Sequence, residues 1–143
     1  MHRCLILIVL ALWLVPLLVA SANDDTSVLS GQGPLTQADI DAYVYFTPLL
    51  VGEAGRNPDT ASRIIRESGL TRKRALYVSA KIAVAQAMAI GALTPGQLVD
   101  DNVSSALHPS TEEVSLVNIN RNTLEKAQAA ARRAGGDAAP LKK

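Results

Sequence analysis

Cysteine is nearly missing from this chain, aromatic residues are scarce, and histidine occurs only twice. Each shortage removes a class of function. The single cysteine, Cys4, stands at the start, so no intramolecular disulfide framework can form. With His2, His108 and that one thiol, no usual zinc ligand set can be assembled, and neither a metal nor any other cofactor is expected. His108, before Pro109, reads as an ordinary histidine of a surface loop. Asp100-Asp101-Asn102 lacks the spacing and central glycine of a calcium loop and reads as a solvated acidic helix face. One Trp, three Tyr and one Phe are too few for an aromatic platform that stacks single strands. A net charge of +1 implies no whole-molecule attraction to nucleic acid or to an anionic membrane.

Nucleophilic motifs are missing as well. Neither a G-x-S-x-G elbow nor an S-x-x-K pattern occurs, and Ser79 and Lys81, two residues apart, fall on nearly opposite sides of a helix. A pair of acids such as Glu53 and Glu67 could serve glycoside cleavage only if the fold set their separation. The chain therefore reads more readily as a binding protein than as an enzyme.

What is present begins with an address. Arg3 precedes an uncharged apolar run from Leu5 to Val19, closed by Ala20-Ser21-Ala22; this is the pattern of a secretory signal peptide over residues 1–22. The run falls short of the roughly 20 residues that cross a bilayer, and Asp24 and Asp25 follow where an anchor carries Lys or Arg. Cleavage removes Cys4 and Trp13, and with Arg3 gone the 14 basic side chains become 13, equal to the 13 acidic ones. An exported, cysteine-free chain suits the bacterial periplasm or cell envelope, with no membrane span after cleavage.

Residues 23–34, polar with two glycines and a proline, read as a flexible arm. Residues 135–143 read as a disordered basic tail. Between them, 35–134 is expected to form one all-α domain, a compact bundle of four to five short helices around a central alanine-rich helix over about 72–90. Leu35-Thr36, Leu70-Thr71 and Leu93-Thr94 each precede a helical pattern, with Asp39 completing a cap and Leu35 and Ile40 a hydrophobic staple at the first. Asn57-Pro58 opens another helix and Ser110 with Glu113 forms a capping box for the last, which is expected to reach Arg133. Pro48 is expected to kink or divide the first helix.

In the central helix, Leu76, Ala80, Ala83, Val84 and Ala87 fall on one face and Val78, Ile82 and Ala89 on another. Bulky residues at Ala80, Ala83 or Ala87 are expected to overpack. Lys81, within this helix, is expected to lay its stem along the surface with its head in water, because Arg74 one heptad earlier marks an exposed stripe. Buried, it would need a carboxylate such as Asp39 or Asp41.

The largest charge imbalance is at "RIIRESGLTRKR", where Arg63, Arg66, Arg72, Lys73 and Arg74 face only Glu67. Cations in a first helical turn oppose the macrodipole. Either neighbouring acids such as Glu67, Asp59 or Glu53 offset them, or the N–H groups and cations together receive an outside anion. The functional expectation is a small exported helical binding or adaptor protein that meets an anionic group on a protein, envelope polymer or membrane surface through this patch. The alternatives are a small hydrolase-like envelope enzyme built on scattered carboxylates and Lys81, or a helical chaperone or stress sensor with an apolar groove.

Overall fold

The computed structural model describes residues 29, 31–52, 57–100 and 103–136. The expected signal segment, most of the arm and tail, Glu53, and Asp101-Asn102 lie outside the described residues. Among the described residues the fold is all-α: α1 (Gln37–Gly52), α2 (Pro58–Glu67), α3 (Arg72–Ala89), α4 (Pro95–Asp100), a 3-10 turn (Ser105–Leu107), α5 (Thr111–Ile119) and α6 (Arg121–Gly136). None of these helices is long and apolar enough to cross a membrane.

All three Leu-Thr pairs open helices. The Thr36 hydroxyl accepts from the Asp39 N–H at 3.3 Å while Asp39 Oδ2 accepts from the Thr36 N–H at 2.8 Å. The Thr71 hydroxyl accepts from the Arg74 N–H at 3.1 Å, and Thr94 exchanges bonds with Gln97. The capping box of Ser110 and Glu113 is complete, and Asn57 caps α2 ahead of Pro58. Each cap gives orphan N–H groups a partner and sets where the chain turns into a helix. The staple is present too: Leu35 and Ile40 are both buried.

Two element boundaries differ from expectation. α1 runs continuously through Pro48, so the missing N–H leaves the Val44 carbonyl without its usual partner but does not end the helix. The expected last helix is two: a turn at Asn120 separates α5 from α6, and the Asn120 side chain donates to the Leu116 carbonyl at 2.9 Å, closing the end of α5.

The most extensive helix pairing joins α1 to α6. Their direction follows from three levels of contact. Gln37 and Asn120 exchange amide bonds of 3.1 and 2.9 Å at the start of both helices, Gln128 donates to the Tyr43 hydroxyl midway, and Gly52 and Val51 lie beside Ala134 and Gly135 at the far ends. The helices are therefore parallel, and residues 53–120 form the crossover between them. A Cβ on Gly135 would stand 2.9 Å from Val51, so glycine is what lets the two ends close.

Within the crossover, α3 touches α1, α2, the 3-10 turn and α5, and Gln86 meets Gln128 of α6 at 2.8 Å. It is the central helix, and both of its apolar sides are covered, the side with Val78 and Ile82 more completely. Ala75, Tyr77, Val78, Lys81, Ile82 and Ala85 are buried, whereas Leu76, Ala80, Ala83, Val84 and Ala87 are half-buried. A helix apolar on two sides does not disclose which side meets the denser neighbours. The positions sensitive to overpacking are accordingly Ala75 and Ala85, both fully enclosed. Ala85→Leu should cost about 1–3 kcal/mol and Ala83→Leu distinctly less, read as shifts of the urea midpoint at constant slope.

Candidate functional site

The five cations singled out in the sequence do not share one fate. Gly69, at φ +84, adopts the left-handed conformation that lets α2 end and the chain re-enter α3 within Gly69-Leu70-Thr71. This corner sets Arg66 of α2 near Arg72 of α3: both line a shallow depression of about 300 Å³, with Ser62, Ile65, Leu70 and Thr71 completing its wall. Lys73 is exposed beside them in sequence. Arg63 lies along α2 and pairs with Glu67 at 3.1 Å, both well exposed; a pair of this kind contributes little to stability. Glu67 also accepts from the Tyr45 hydroxyl at 3.2 Å.

Arg74 turns the other way. Its Nε and Nη2 meet Asp39 Oδ1 and Oδ2 at 3.0 and 2.7 Å, and its remaining N–H groups donate to the carbonyls of Gly33 and Pro34 at 2.8 Å each. The planar guanidinium is suited to this fork. Its bonds to Asp39 raise the pKa of Arg74 further. Desolvation pushes Asp39 up, yet the bonds from Arg74 and Thr36 and the Arg74 charge outweigh it and hold the carboxyl below its ordinary range. Arg74 is thus a clamp on the chain before α1, and of the five cations Arg66 and Arg72 line the depression at the corner.

Lys81 corrects the expectation of a surface lysine. Its side chain is 8% exposed, and Nζ lies 2.9 Å from Glu113 Oε1 and donates to the Tyr77 hydroxyl at 2.6 Å. Its partner is the capping acid of α5, not Asp39 or Asp41. At 5.1 Å from the Tyr77 ring centroid, the ammonium sits outward of the hydroxyl and not over the ring face. The Arg74 guanidinium stands equally close to that ring. Glu113 Oε1 additionally accepts from the buried Leu35 N–H at 2.7 Å, and Oε2 from the Ser110 N–H at 2.8 Å.

Burial opposes the charge on both partners. The Tyr77 hydroxyl and Glu113 more than offset it for Lys81, whose pKa is raised. The N–H groups of Leu35 and Ser110, with Lys81, do the same for Glu113, whose pKa is lowered. A protonated, enclosed lysine is a poor base or nucleophile, so this cluster of Asp39, Arg74, Tyr77, Lys81 and Glu113 holds structure. It was missed in the sequence because Asp39 and Glu113 already had a role as caps. Among the described residues no three His, Cys, Asp or Glu side chains converge on a possible metal position. His108 uses its Nε2–H on the Val103 carbonyl at 2.9 Å, because that oxygen can only accept.

No protein-family model matches the chain, and no curated protein or solved structure does either. Function must therefore be argued from the residues themselves.

Glu113→Ala should cost about 3–5 kcal/mol, the usual loss when one partner of a buried pair is removed. The double variant Lys81→Met/Glu113→Leu should be clearly more stable than Glu113→Ala alone, because no unpaired charge remains; urea unfolding of both proteins measures this. Both carboxyl groups have depressed folded pKa values, so their contribution is complete above the ordinary carboxylate range and is lost as pH falls through the folded values. The thermal midpoint should stay level from pH 7 to 5 and drop below about pH 4.

Proposed function

We propose that this protein is a small exported helical binding or adaptor module of the bacterial periplasm or cell envelope. It engages an anionic group, carried by a protein, an envelope polymer or a membrane surface, at the corner between α2 and α3. The observation that supports this most is the Arg66 and Arg72 depression, where two cations, two hydroxyl-bearing side chains and the first turn of a capped helix adjoin one another. The Arg66 guanidinium there offers forked donors to phosphate or carboxylate, and the helix start adds a positive field of the same sign. Lys73, exposed and next to Arg72 in sequence, adds to the local positive charge, and Arg63 contributes while it shares Glu67. Export rests on the pattern of residues 1–22.

The apolar-groove alternative has less behind it. Among the described residues the large exposed apolar ones are Tyr45, Leu49, Ile90, Val99 and Ile119, and of these only Tyr45 and Leu49 are one turn apart on the same helix. The hydrolase-like alternative loses its central group with the enclosure of Lys81.

Arg66→Glu together with Lys73→Glu should abolish salt-sensitive binding to vesicles or beads bearing phosphate groups, measured between 50 and 300 mM salt, roughly the range over which the Debye length shortens from about 14 to 6 Å. Arg63→Ala should change it only modestly. Binding by the wild type that ignores both salt and charge reversal would contradict the reading.

A further inference from the structure

Residues 33–36, just before α1, are fastened in an unusual way. Apart from the Thr36 carbonyl, which accepts from the Asp39 and Ile40 N–H groups of α1, their backbone is held by side-chain charges that arrive from three helices. Arg74 of α3 donates to the carbonyls of Gly33 and Pro34. Glu113 of α5 accepts the Leu35 N–H. Asp39 of α1 accepts both the Thr36 N–H and its hydroxyl, at 2.8 and 2.9 Å. Of the four residues only Leu35 is buried, and Gly33, Pro34 and Thr36 are exposed. Behind this strap lie Lys81 and the hydroxyl of Tyr77, both bonded into the same cluster.

We propose that residues 33–36 act as an ionic latch, an acid-sensitive strap that detaches from the body ahead of global unfolding when Asp39 and Glu113 lose their charge. The geometry gives the reason for the order of events. Detachment exposes one apolar side chain, whereas global unfolding exposes the whole core, so the apolar resistance to the local step is small. The charges push in the opposite direction. Once Glu113 is neutral, Lys81 is a buried ammonium facing a tyrosine hydroxyl and no anion, and opening the strap is the shortest way to give it water. Once Asp39 is neutral, Arg74 loses its fork and holds only two carbonyls. Among the described residues the titratable and charged groups that face the strap are Asp39 from α1, Arg74, Tyr77 and Lys81 from α3, and Glu113 from α5. Arg74 and Lys81 keep their protons through the acid range, so the two carboxylates alone set the response. Both are held below the ordinary carboxylate range; the latch is closed at neutral pH and opens as pH falls through those depressed values. This device does not depend on the anion reading of the α2–α3 corner.

Amide hydrogen exchange on the full-length protein, expressed as protection factors so that the intrinsic pH dependence cancels, tests the latch. Leu35 and Thr36 should lose at least about tenfold in protection between pH 6 and 3.5, corresponding to 1.4 kcal/mol of local opening, and should stay at least about tenfold less protected than Ile82 and Leu124, whose exchange requires a global unfolding that the same two carboxylates also weaken. Glu113→Gln and Asp39→Asn should each produce the same loss at pH 7. Strap and core amides with equal protection at every pH would overturn the proposal, as would unchanged Leu35 protection in a Glu113→Gln protein whose core amides remain protected. Should Glu113→Gln not fold, the wild-type pH series decides by itself.

Discussion

The carboxylate of Glu113 is the junction on which the arrangement of the other parts depends. One oxygen completes the capping box that starts α5, and the other receives Lys81 of α3 and the Leu35 N–H before α1. Three segments far apart in sequence therefore have one correct position relative to each other. Such a buried pair is weak evidence for net stability, since apolar residues of similar volume often do as well or better. What it supplies here is selection. α3 is apolar on two sides, and packing alone leaves its rotation underdetermined; a lysine that must find one carboxylate removes that freedom.

A second constraint acts through α1. Its first turn carries Asp39, which meets Arg74, and its length lies along α6 with amide pairs at the start and middle and tight backbone contact at the end. Because α1 and α6 run in parallel, the chain between them must cross over, and α3 at the centre of that crossover touches both. Two clamps on the strap reach it from helices that the core has already fixed: Arg74 from α3, and Glu113, itself held by Lys81, from the capped start of α5. The polar contacts are then preorganised by apolar packing of Ile40, Phe46, Ile82, Val117 and Leu124, and do not have to order those elements themselves.

Local chemistry was legible in the sequence and tertiary chemistry was not. Helix starts at Thr36, Asn57, Thr71, Thr94 and Ser110 could be read directly, because a cap is a bargain between residues two or three apart. The all-α class and the centrality of α3 followed from helical periodicity. The rotation of α3 did not, since both of its sides are apolar. Lys81 was misread for a related reason: Arg74, seven residues earlier, does share its stripe, but that stripe faces two carboxylates instead of water. The break at Asn120 carries neither glycine nor proline; the Asn120 side chain marks it, donating to the Leu116 carbonyl and pairing with Gln37, 83 positions away. Of the five cations in the corner, spacing brought Arg66 and Arg72 to one depression, but nothing local told that Arg74 would leave it for Asp39.

The corner between α2 and α3 and the ionic cluster on the opposite end of Arg74's reach divide the basic run into an outward and an inward use of charge. That division stands or falls with the ionisation of the enclosed carboxylates. Site-resolved pH titration of the Glu113 and Asp39 carboxyl carbons by NMR tests it most directly. Both should titrate below the ordinary carboxylate range, with the Leu35 amide signal shifting in step with Glu113; ordinary titration of either carboxyl, with a Leu35 amide indifferent to it, would contradict the account.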